Sequence, residues 1–222
     1  MLAAEEFIVK ICGITTEADA LMAVSQGANA VGFVFAPSIR QLHPSEARDI
    51  VRRLPEEVTA VGVFRNEDKI RVIEIAEQVG LSAVQLHGLE TVDDVAYIRD
   101  FVPTVIKALP AESPDVLVFD RSHADFLLLD GENPGSGEMH EWGPLGRRHL
   151  RTPILAAGGL TPFNVSEVAR RLPVRGVDVS TGVEAGPGRK DPELVADFIR
   201  AARLGYAERL PSVGNFPMSE ED

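Results

Sequence analysis

Eight short apolar runs recur along the chain and predict eight strands. The runs are continuous and rich in β-branched residues, which is typical of strands covered on both faces. They are FIVKIC (7–12), AVGFVF (30–35), TAVGVF (59–64), SAVQLH (82–87), TVIKAL (104–109), DFLLLD (125–130), PILAAG (153–158) and GVDVS (176–180). The pattern therefore predicts the buried sheet of an α/β protein.

Segments with a helical spacing of apolar residues separate these runs. The clearest lie at 16–27, 45–54, 67–80, 91–101 and 191–204, whereas the VLVF within 111–123 fits either a short helix or a spurious strand. Strand ends follow one another every 21–29 residues or so, about the length of one β-loop-α-loop unit. Eight such units predict a closed (β/α)₈ TIM barrel, and the alternative is a doubly wound open sheet, which usually has fewer strands at this length.

The domain organisation follows from where this periodicity stops. We predict a single barrel domain over residues 1–204. Residues 205–222 lose the periodicity and end in acidic residues. They predict a C-terminal extension that is draped on the surface or disordered.

Composition narrows the class of partner and the compartment. The 222 residues carry a net charge of −12, which disfavours nucleic acids but not a small anionic substrate. The single cysteine excludes an intramolecular disulfide and favours a reducing cytosol. The acidic N-terminus does not resemble a signal peptide, and no apolar run is long enough to span a membrane. We expect a cytoplasmic protein with no membrane or nucleic-acid partner, as a monomer or homodimer.

Polar side chains interrupt several of the apolar runs near their carboxyl ends. These residues are Lys10, Cys12, Gln85, His87, Lys107, Asp130, Asp178 and Ser180. Residues two apart share one face of a strand, so Lys10 lies beside Cys12 and Gln85 beside His87. One such residue is usually a structural group, but their recurrence at the end where barrels carry active sites predicts a site there. In a closed barrel the first and last strands are neighbours, so we also predict that Lys10 pairs with Asp178.

Two of these residues form a candidate base and acid. A free cysteine is most often an inert core residue, but Gly13 follows Cys12 directly and Lys10 on the same face favours its thiolate. Asp130 ends an apolar run, where a carboxyl group must be hydrogen-bonded or neutral. A thiolate and a protonated carboxyl group on two walls of one cavity provide general base and general acid.

Two glycine-rich loops and one arginine are candidates for binding anions. AAGGLTPFNV (156–165) and DVSTGVEAGPGRKDPE (178–193) follow the last two runs, where barrels usually bind phosphate. Arg40, after the second run, is either an ordinary surface arginine or a clamp for a carboxylate. The five histidines show no metal-ligand spacing, and no Rossmann or Walker pattern is present, so we expect neither metal nor cofactor.

With these motifs in order, the chain resembles the phosphoribosylanthranilate isomerase family of tryptophan biosynthesis. The resemblance runs from Val9 to Leu204, and its most specific motifs are KICGIT and DVSTGVE. It implies a (β/α)₈ barrel that catalyses an Amadori rearrangement of N-(5′-phosphoribosyl)anthranilate without a cofactor. The roles that it implies are Cys12 as general base at C2′, Asp130 as general acid at the ribose ring oxygen, Arg40 on the anthranilate carboxylate, and Gly158, Gly159, Ser180, Thr181 and Gly182 on the phosphate. We also expect Gln85, His87 and Lys107 to contact the substrate.

Two alternatives remain open at this point. One is another phosphate-binding barrel, such as the aminoaldose isomerase of histidine biosynthesis or an enzyme with both substrates. Those chemistries use a pair of aspartates, one of them at the end of the first strand, where this chain has Cys12. The other is a barrel that binds a phosphorylated ligand without catalysis, which the presence of both Cys12 and Asp130 disfavours.

Overall fold

A closed barrel of eight parallel strands forms the centre of the molecule. The computed structural model describes residues 6–131 and 150–209. The strands are β1 (Ile8–Cys12), β2 (Ala30–Val34), β3 (Thr59–Phe64), β4 (Ala83–Leu86), β5 (Val105–Pro110), β6 (Phe126–Asp130), β7 (Ile154–Ala157) and β8 (Gly176–Val179). They pair in sequence order, and β1 pairs with β8, with Lys10 opposite Asp178. The predicted barrel is confirmed, and the open-sheet alternative is wrong.

Helices follow the strands and cover the outside of the barrel. They are α1 (Glu17–Ser25), α2 (Pro44–Val51), α3 (Lys69–Val79), α4 (Val92–Arg99), α5 (Asp115–Phe119), α6 (Val165–Arg171) and α7 (Pro192–Ala207). The ambiguous VLVF forms the short helix α5. Helix α7 continues past the predicted boundary at residue 204, and residues 210–222 of the predicted extension lie outside the described residues, as does the segment 132–149.

Local signals explain where several helices begin. The side chains of Thr16, Asp68, Thr91 and Asp191 each accept a hydrogen bond from a backbone N–H of the first helical turn. Such capping satisfies amide groups that have no partner within the helix. At the other end of α3, Gly80 adopts the left-handed conformation that glycine tolerates best. None of the described helices is both long and apolar enough to cross a membrane.

The barrel wall separates two apolar clusters. The larger one lies between the strands and the helices, and the smaller one fills the barrel with side chains such as Ile8, Ala83, Ile106 and Leu128. Residues of one strand that are two apart share a face, so Lys10 and Cys12 follow Ile8 into the interior. The apolar layers therefore close the amino-terminal part of the barrel, and polar side chains occupy its carboxyl-terminal end.

One element was absent from the sequence prediction. An antiparallel hairpin of β9 (Glu184–Gly186) and β10 (Arg189–Lys190) lies between β8 and α7. It pairs Lys190 with Glu184 and so returns the chain to the mouth of the barrel. The strands are too short to leave a recognisable period in the sequence.

Candidate active site

All of the residues predicted from the sequence to act in catalysis or to bind the substrate line one cavity at the carboxyl ends of the strands. They are Cys12, Arg40, Gln85, His87, Lys107, Asp130, Gly158, Gly159, Ser180, Thr181 and Gly182. The fold explains this convergence, because parallel strands in a closed barrel bring all their carboxyl ends to one rim. Among the residues that the structure describes, no group of three or more His, Cys, Asp or Glu side chains is arranged to hold a metal ion.

Cys12 lies at the end of β1 and is buried, with 7% of its surface exposed. Gly32 on the adjacent strand β2 gives its side chain room. A Cβ atom at Gly32 would lie 2.7 Å from the Cys12 Sγ and 3.1 Å from the Lys10 Nζ. Gly32 was not predicted from the sequence to belong to the site, although a glycine inside a strand is a known sign of a close approach.

The predicted pair of Lys10 and Asp178 is confirmed. The Lys10 Nζ donates a hydrogen bond of 2.7 Å to the Asp178 Oδ1, and the lysine side chain is fully buried. Burial is the largest single effect and lowers the pKa of Lys10. The charge of Asp178, the charge of a Cys12 thiolate and the hydrogen bonds to both side chains together outweigh burial, so the net pKa is above the ordinary value. The ammonium group is therefore charged at neutral pH.

This ammonium does not by itself make Cys12 a thiolate. Burial raises the pKa of the Cys12 thiol, and the opposing charge of Lys10 does not fully compensate. The carboxylate of Asp178 adds to the increase, since it neutralises Lys10 and repels a thiolate. The resting thiol is consequently protonated at neutral pH, and its thiolate, once formed, is a stronger base than an ordinary one.

Asp130 ends β6 on the other side of the cavity and faces His87. The His87 Nε2 lies 3.7 Å from the Asp130 Oδ2, and its Nδ1 lies 3.3 Å from the Gln85 Nε2. Burial lowers the pKa of His87, so the imidazole is neutral at neutral pH. In this orientation of the Gln85 amide its nitrogen donates to Nδ1, and the matching tautomer of His87 carries the ring proton on Nε2, facing Asp130.

The two predicted phosphate loops pack against each other. A Cβ atom at Gly182, in the loop after β8, would collide with the Leu160 carbonyl of the loop after β7. Gly158 has a φ of +86°, and a side chain there would meet the Asp130 carboxyl group. The glycines therefore allow these loops to approach both each other and the candidate acid, and backbone amides in such loops are the usual ligands of phosphate.

Arg40 has a carboxylate partner that the sequence analysis missed. Its Nε donates to the Glu184 Oε1 at 2.6 Å and its Nη2 to the Glu184 Oε2 at 2.7 Å. Lys190 donates to the same carboxylate at 2.9 Å. Glu184 belongs to the DVSTGVE motif, but only the β9–β10 hairpin shows that its side chain faces Arg40.

Lys107 lines the cavity, but its ammonium group donates its hydrogen bonds to acceptors of the protein. The ammonium donates to the carbonyl oxygens of Leu86 and Gly88, at 3.2 and 2.7 Å, and to the Glu90 carboxylate at 2.7 Å. An ammonium group has three donors, so none remains for a ligand. Glu90, also missed from the sequence, accepts from the backbone amides of Asn66 and Gly88 at 2.8 Å each. The geometry thus gives Lys107 a role in holding the loops after β3 and β4, in place of the expected substrate contact.

Comparison with known proteins shows the family of this barrel. The family model for N-(5′-phosphoribosyl)anthranilate (PRA) isomerase matches residues 9–201. The chain belongs to the PRA isomerase family.

Individual PRA isomerases match over nearly the same span. One from Desulforudis audaxviator is 44% identical over 203 residues, which are 88% of this chain and 98% of the relative. The crystal structure of phosphoribosyl anthranilate isomerase from Thermotoga maritima is 40% identical, with a TM-score of 0.83, and the match covers 88% of this chain and 98% of that one. A PRA isomerase solved in complex with reduced 1-(o-carboxyphenylamino)-1-deoxyribulose 5-phosphate is 39% identical, with a TM-score of 0.80 and the same coverage.

Proposed function

We propose that the chain isomerises N-(5′-phosphoribosyl)anthranilate to 1-(2-carboxyphenylamino)-1-deoxyribulose 5-phosphate, a step of tryptophan biosynthesis. One observation carries the proposal: Cys12 and Asp130 line the same cavity from β1 and β6, which β7 and β8 separate. A base and an acid are thereby placed on two walls of a cavity whose rim carries Arg40 and two glycine-rich loops. Relatives that are 37–44% identical are named for this activity.

The reaction needs one proton donor and one proton acceptor. Asp130 protonates the ribose ring oxygen, the bond from that oxygen to C1′ breaks, and a cationic iminium forms between C1′ and the anthranilate nitrogen. The Cys12 thiolate then removes the proton from C2′, which gives a neutral enolamine. A proton moves from the 2′ hydroxyl to C1′, and the aminoketose results. One proton enters from the acid and one leaves to the base, so no cofactor is required.

The raised pKa of Cys12 fits this sequence of steps. The thiol is protonated in the resting cavity, where burial disfavours a charge. Turnover proceeds through the fraction of molecules in which this thiol has released its proton to water. A cationic iminium beside Cys12 increases that fraction, since opposite charges attract strongly where water is excluded. The base therefore becomes available when the intermediate that needs it is present.

The remaining residues hold the two anionic ends of the substrate. Arg40 binds the anthranilate carboxylate, and the phosphate lies against Gly158 and Gly159 and the turn of residues 180–182. This arrangement places the ribose between acid and base. Binding at the two ends of the substrate thereby orients its reacting atoms for proton transfer. Gln85 and His87 lie beside the acid, where a neutral imidazole N–H is able to donate to Asp130 or to a ribose hydroxyl.

A turnover assay tests the activity. Wild-type protein and Cys12→Ser are given phosphoribosylanthranilate, and its loss is followed by fluorescence in a coupled assay. We expect turnover with the wild type and almost none with the variant. Activity only on the aminoaldose intermediate of histidine biosynthesis contradicts the proposal. Binding of the reduced product analogue without any isomerisation favours the non-catalytic alternative.

The proposal extends to location and assembly. We infer a cytoplasmic enzyme that acts as a monomer or homodimer and binds no nucleic acid, in keeping with its net charge of −12. The Thermotoga maritima relative is described as dimeric, with monomers generated from it. Light scattering during size-exclusion chromatography measures the assembly, and a mass beyond that of a dimer contradicts it.

A further inference from the structure

The carboxylate of Glu184 occupies one edge of the Arg40 guanidinium. Both carboxylate oxygens accept hydrogen bonds, at 2.6 Å from Nε and 2.7 Å from Nη2. The Glu184 side chain is 4% exposed and that of Arg40 18%, so water has little access to the pair. Burial raises the pKa of Glu184, but Arg40 and Lys190 outweigh it and the net pKa is below the ordinary value, so the carboxylate is ionised.

The two N–H donors of Nη1 on the same guanidinium are left for a ligand. The two bonds to Glu184, and one of 3.3 Å to the Thr181 Oγ1, use only Nε and Nη2. Within residues 6–131 and 150–209, the Arg40 Nη1 donates to no protein acceptor. The guanidinium group is planar, so holding its Nε–Nη2 edge also fixes the direction of the two N–H bonds of Nη1.

Arg40, Lys190 and Glu184 form a charged cluster that has room for one more anion. Arg40 and Lys190 are cations, and Glu184 is the only anion bonded to both of them among the described residues. The side chain of Lys190 is fully buried. Two positive charges against one negative leave these three side chains with a net positive charge, which suits a substrate carboxylate beside Arg40.

The charged cluster also connects Arg40, which is proposed to bind the carboxylate, with the turn of residues 180–182, which is proposed to bind the phosphate. Lys190 donates at 3.1 Å to the Ser180 carbonyl oxygen, in the turn assigned to phosphate. The Arg40 side chain lies directly against Gly13. A Cβ atom at Gly13 would lie 2.5 Å from the Arg40 Cδ and 2.9 Å from the Ser180 Oγ. Arg40 and the turn are thereby held against the backbone that follows Cys12.

We propose that Glu184 is a positioning residue for substrate selection: by holding the Nε–Nη2 edge of Arg40, it aims Nη1 at the carboxylate of the substrate. The inference rests on the proposed function, because it takes that carboxylate to be the one on anthranilate. Glu184 contacts Arg40 and Lys190 and acts through them. Its removal should therefore matter only for a substrate that carries the carboxylate.

The test compares Glu184→Gln with wild type on two substrates, phosphoribosylanthranilate and N-(5′-phosphoribosyl)aniline, which lacks the carboxylate. We expect KM for the first to rise about 10- to 100-fold, the range for losing a charged hydrogen bond. KM for the second and kcat for both should stay within about threefold, since the acid and base are untouched. In an Arg40→Ala background, Glu184→Gln should have no further effect.

Glu167→Gln is the matched control. Glu167 also binds an arginine, Arg171 at 2.8 Å, on the surface of α6. It should leave both KM values unchanged. An equal rise in KM for both substrates after Glu184→Gln, or additivity with Arg40→Ala, overturns the proposal, since either result means a general structural role.

Two further measurements cover the remaining outcomes. If circular dichroism shows that Glu184→Gln does not fold, Arg40→Lys replaces it, because lysine keeps the charge but has no planar guanidinium group. A KM near that of wild type for Arg40→Lys then refutes the positioning role. If the wild type turns over neither substrate, the proposed function fails by itself. Calorimetry with the reduced product analogue then decides the inference, which fails if Glu184→Gln binds it as tightly as wild type.

Discussion

Two of the buried lysine–carboxylate pairs among the described residues have their lysine on a barrel strand, and these two pairs have different roles. Lys10 and Asp178 join the neighbouring strands β1 and β8, with Nζ and Oδ1 2.7 Å apart. Lys107 on β5 reaches Glu90 in the loop after β4, also at 2.7 Å. The two lysine side chains are 0% and 1% exposed, so burial and distance do not distinguish the pairs.

What distinguishes them is the remaining environment of each ammonium. Lys107 also donates to two backbone carbonyl oxygens, so its partners are complete within the protein. Lys10 has Asp178 and, beside it, the Cys12 thiol, whose pKa it lowers against the larger effect of burial. A buried ion pair whose hydrogen bonds are complete holds structure, whereas one that faces a titrating group tunes that group.

The largest expected effect concerns the proposed base and acid. Cys12→Ser and Asp130→Asn should each lower kcat by about 10²–10⁴-fold, the usual contribution of a positioned proton-transfer group. Steady-state kinetics on phosphoribosylanthranilate measures this loss, and binding of the reduced product analogue confirms that the site is intact. An unchanged kcat in either variant removes that residue from the mechanism, and for Cys12 it removes the tuning role of Lys10 as well.

The next prediction concerns stability, in which the two pairs should behave alike. Lys10→Met and Lys107→Met should each reduce the free energy of unfolding by about 3–5 kcal/mol, because each leaves a buried carboxylate without its cation. Urea unfolding at neutral pH measures the change. Arg71→Ala is the control, since Arg71 pairs with Glu74 on the exposed surface of α3 and should cost less than about 1 kcal/mol. A loss as small as that of the control shows that a pair is solvated in solution.

The pH dependence of thiol reactivity should separate the pairs. Cys12 is the single cysteine, and iodoacetamide alkylates only its thiolate, so the alkylation rate should rise with pH until the pH passes the pKa of the thiol. Because burial raises that pKa, the wild-type rate should still be rising at the ordinary thiol value of 9.0. Lys10→Met should move the rise to higher pH, and Lys107→Met should not. Equal pH profiles for Lys10→Met and Lys107→Met would contradict the view that Lys10, and not Lys107, tunes Cys12.

The smallest effect is expected for Glu90 in acid. Burial raises the pKa of Glu90, but Lys107 and the amides of Asn66 and Gly88 lower it more, so the net pKa in the folded protein is below the ordinary value of 4.5. The stabilisation is complete above the pKa of the unfolded chain and is lost as the pH falls through the folded pKa. The wild type should therefore have a larger free energy of unfolding than Glu90→Gln at neutral pH, and this difference should shrink below pH 4.5. Urea unfolding at a series of pH values measures it. A constant difference contradicts this linkage.

The barrel was predictable because its evidence is local and repeated. Each apolar run and each capped helix is a segment of a few residues, and the confirmed strand bounds differ little from the predicted ones. The pairing of Lys10 with Asp178 was predictable for a related reason. Closure of the barrel makes the first and last strands neighbours, and the end of each strand was already known.

The local pattern of the chain was enough to predict the barrel and most of the polar residues at its rim, but not Glu90 or Glu184. The three-dimensional arrangement shows which charges pair: Arg40 binds Glu184 along one edge, Lys107 is turned towards Glu90, and burial raises the pKa of Cys12. Ion pairing and desolvation depend on distances between loops that are remote in the chain, such as those of Arg40 and Glu184, and such distances leave no periodic mark on the sequence.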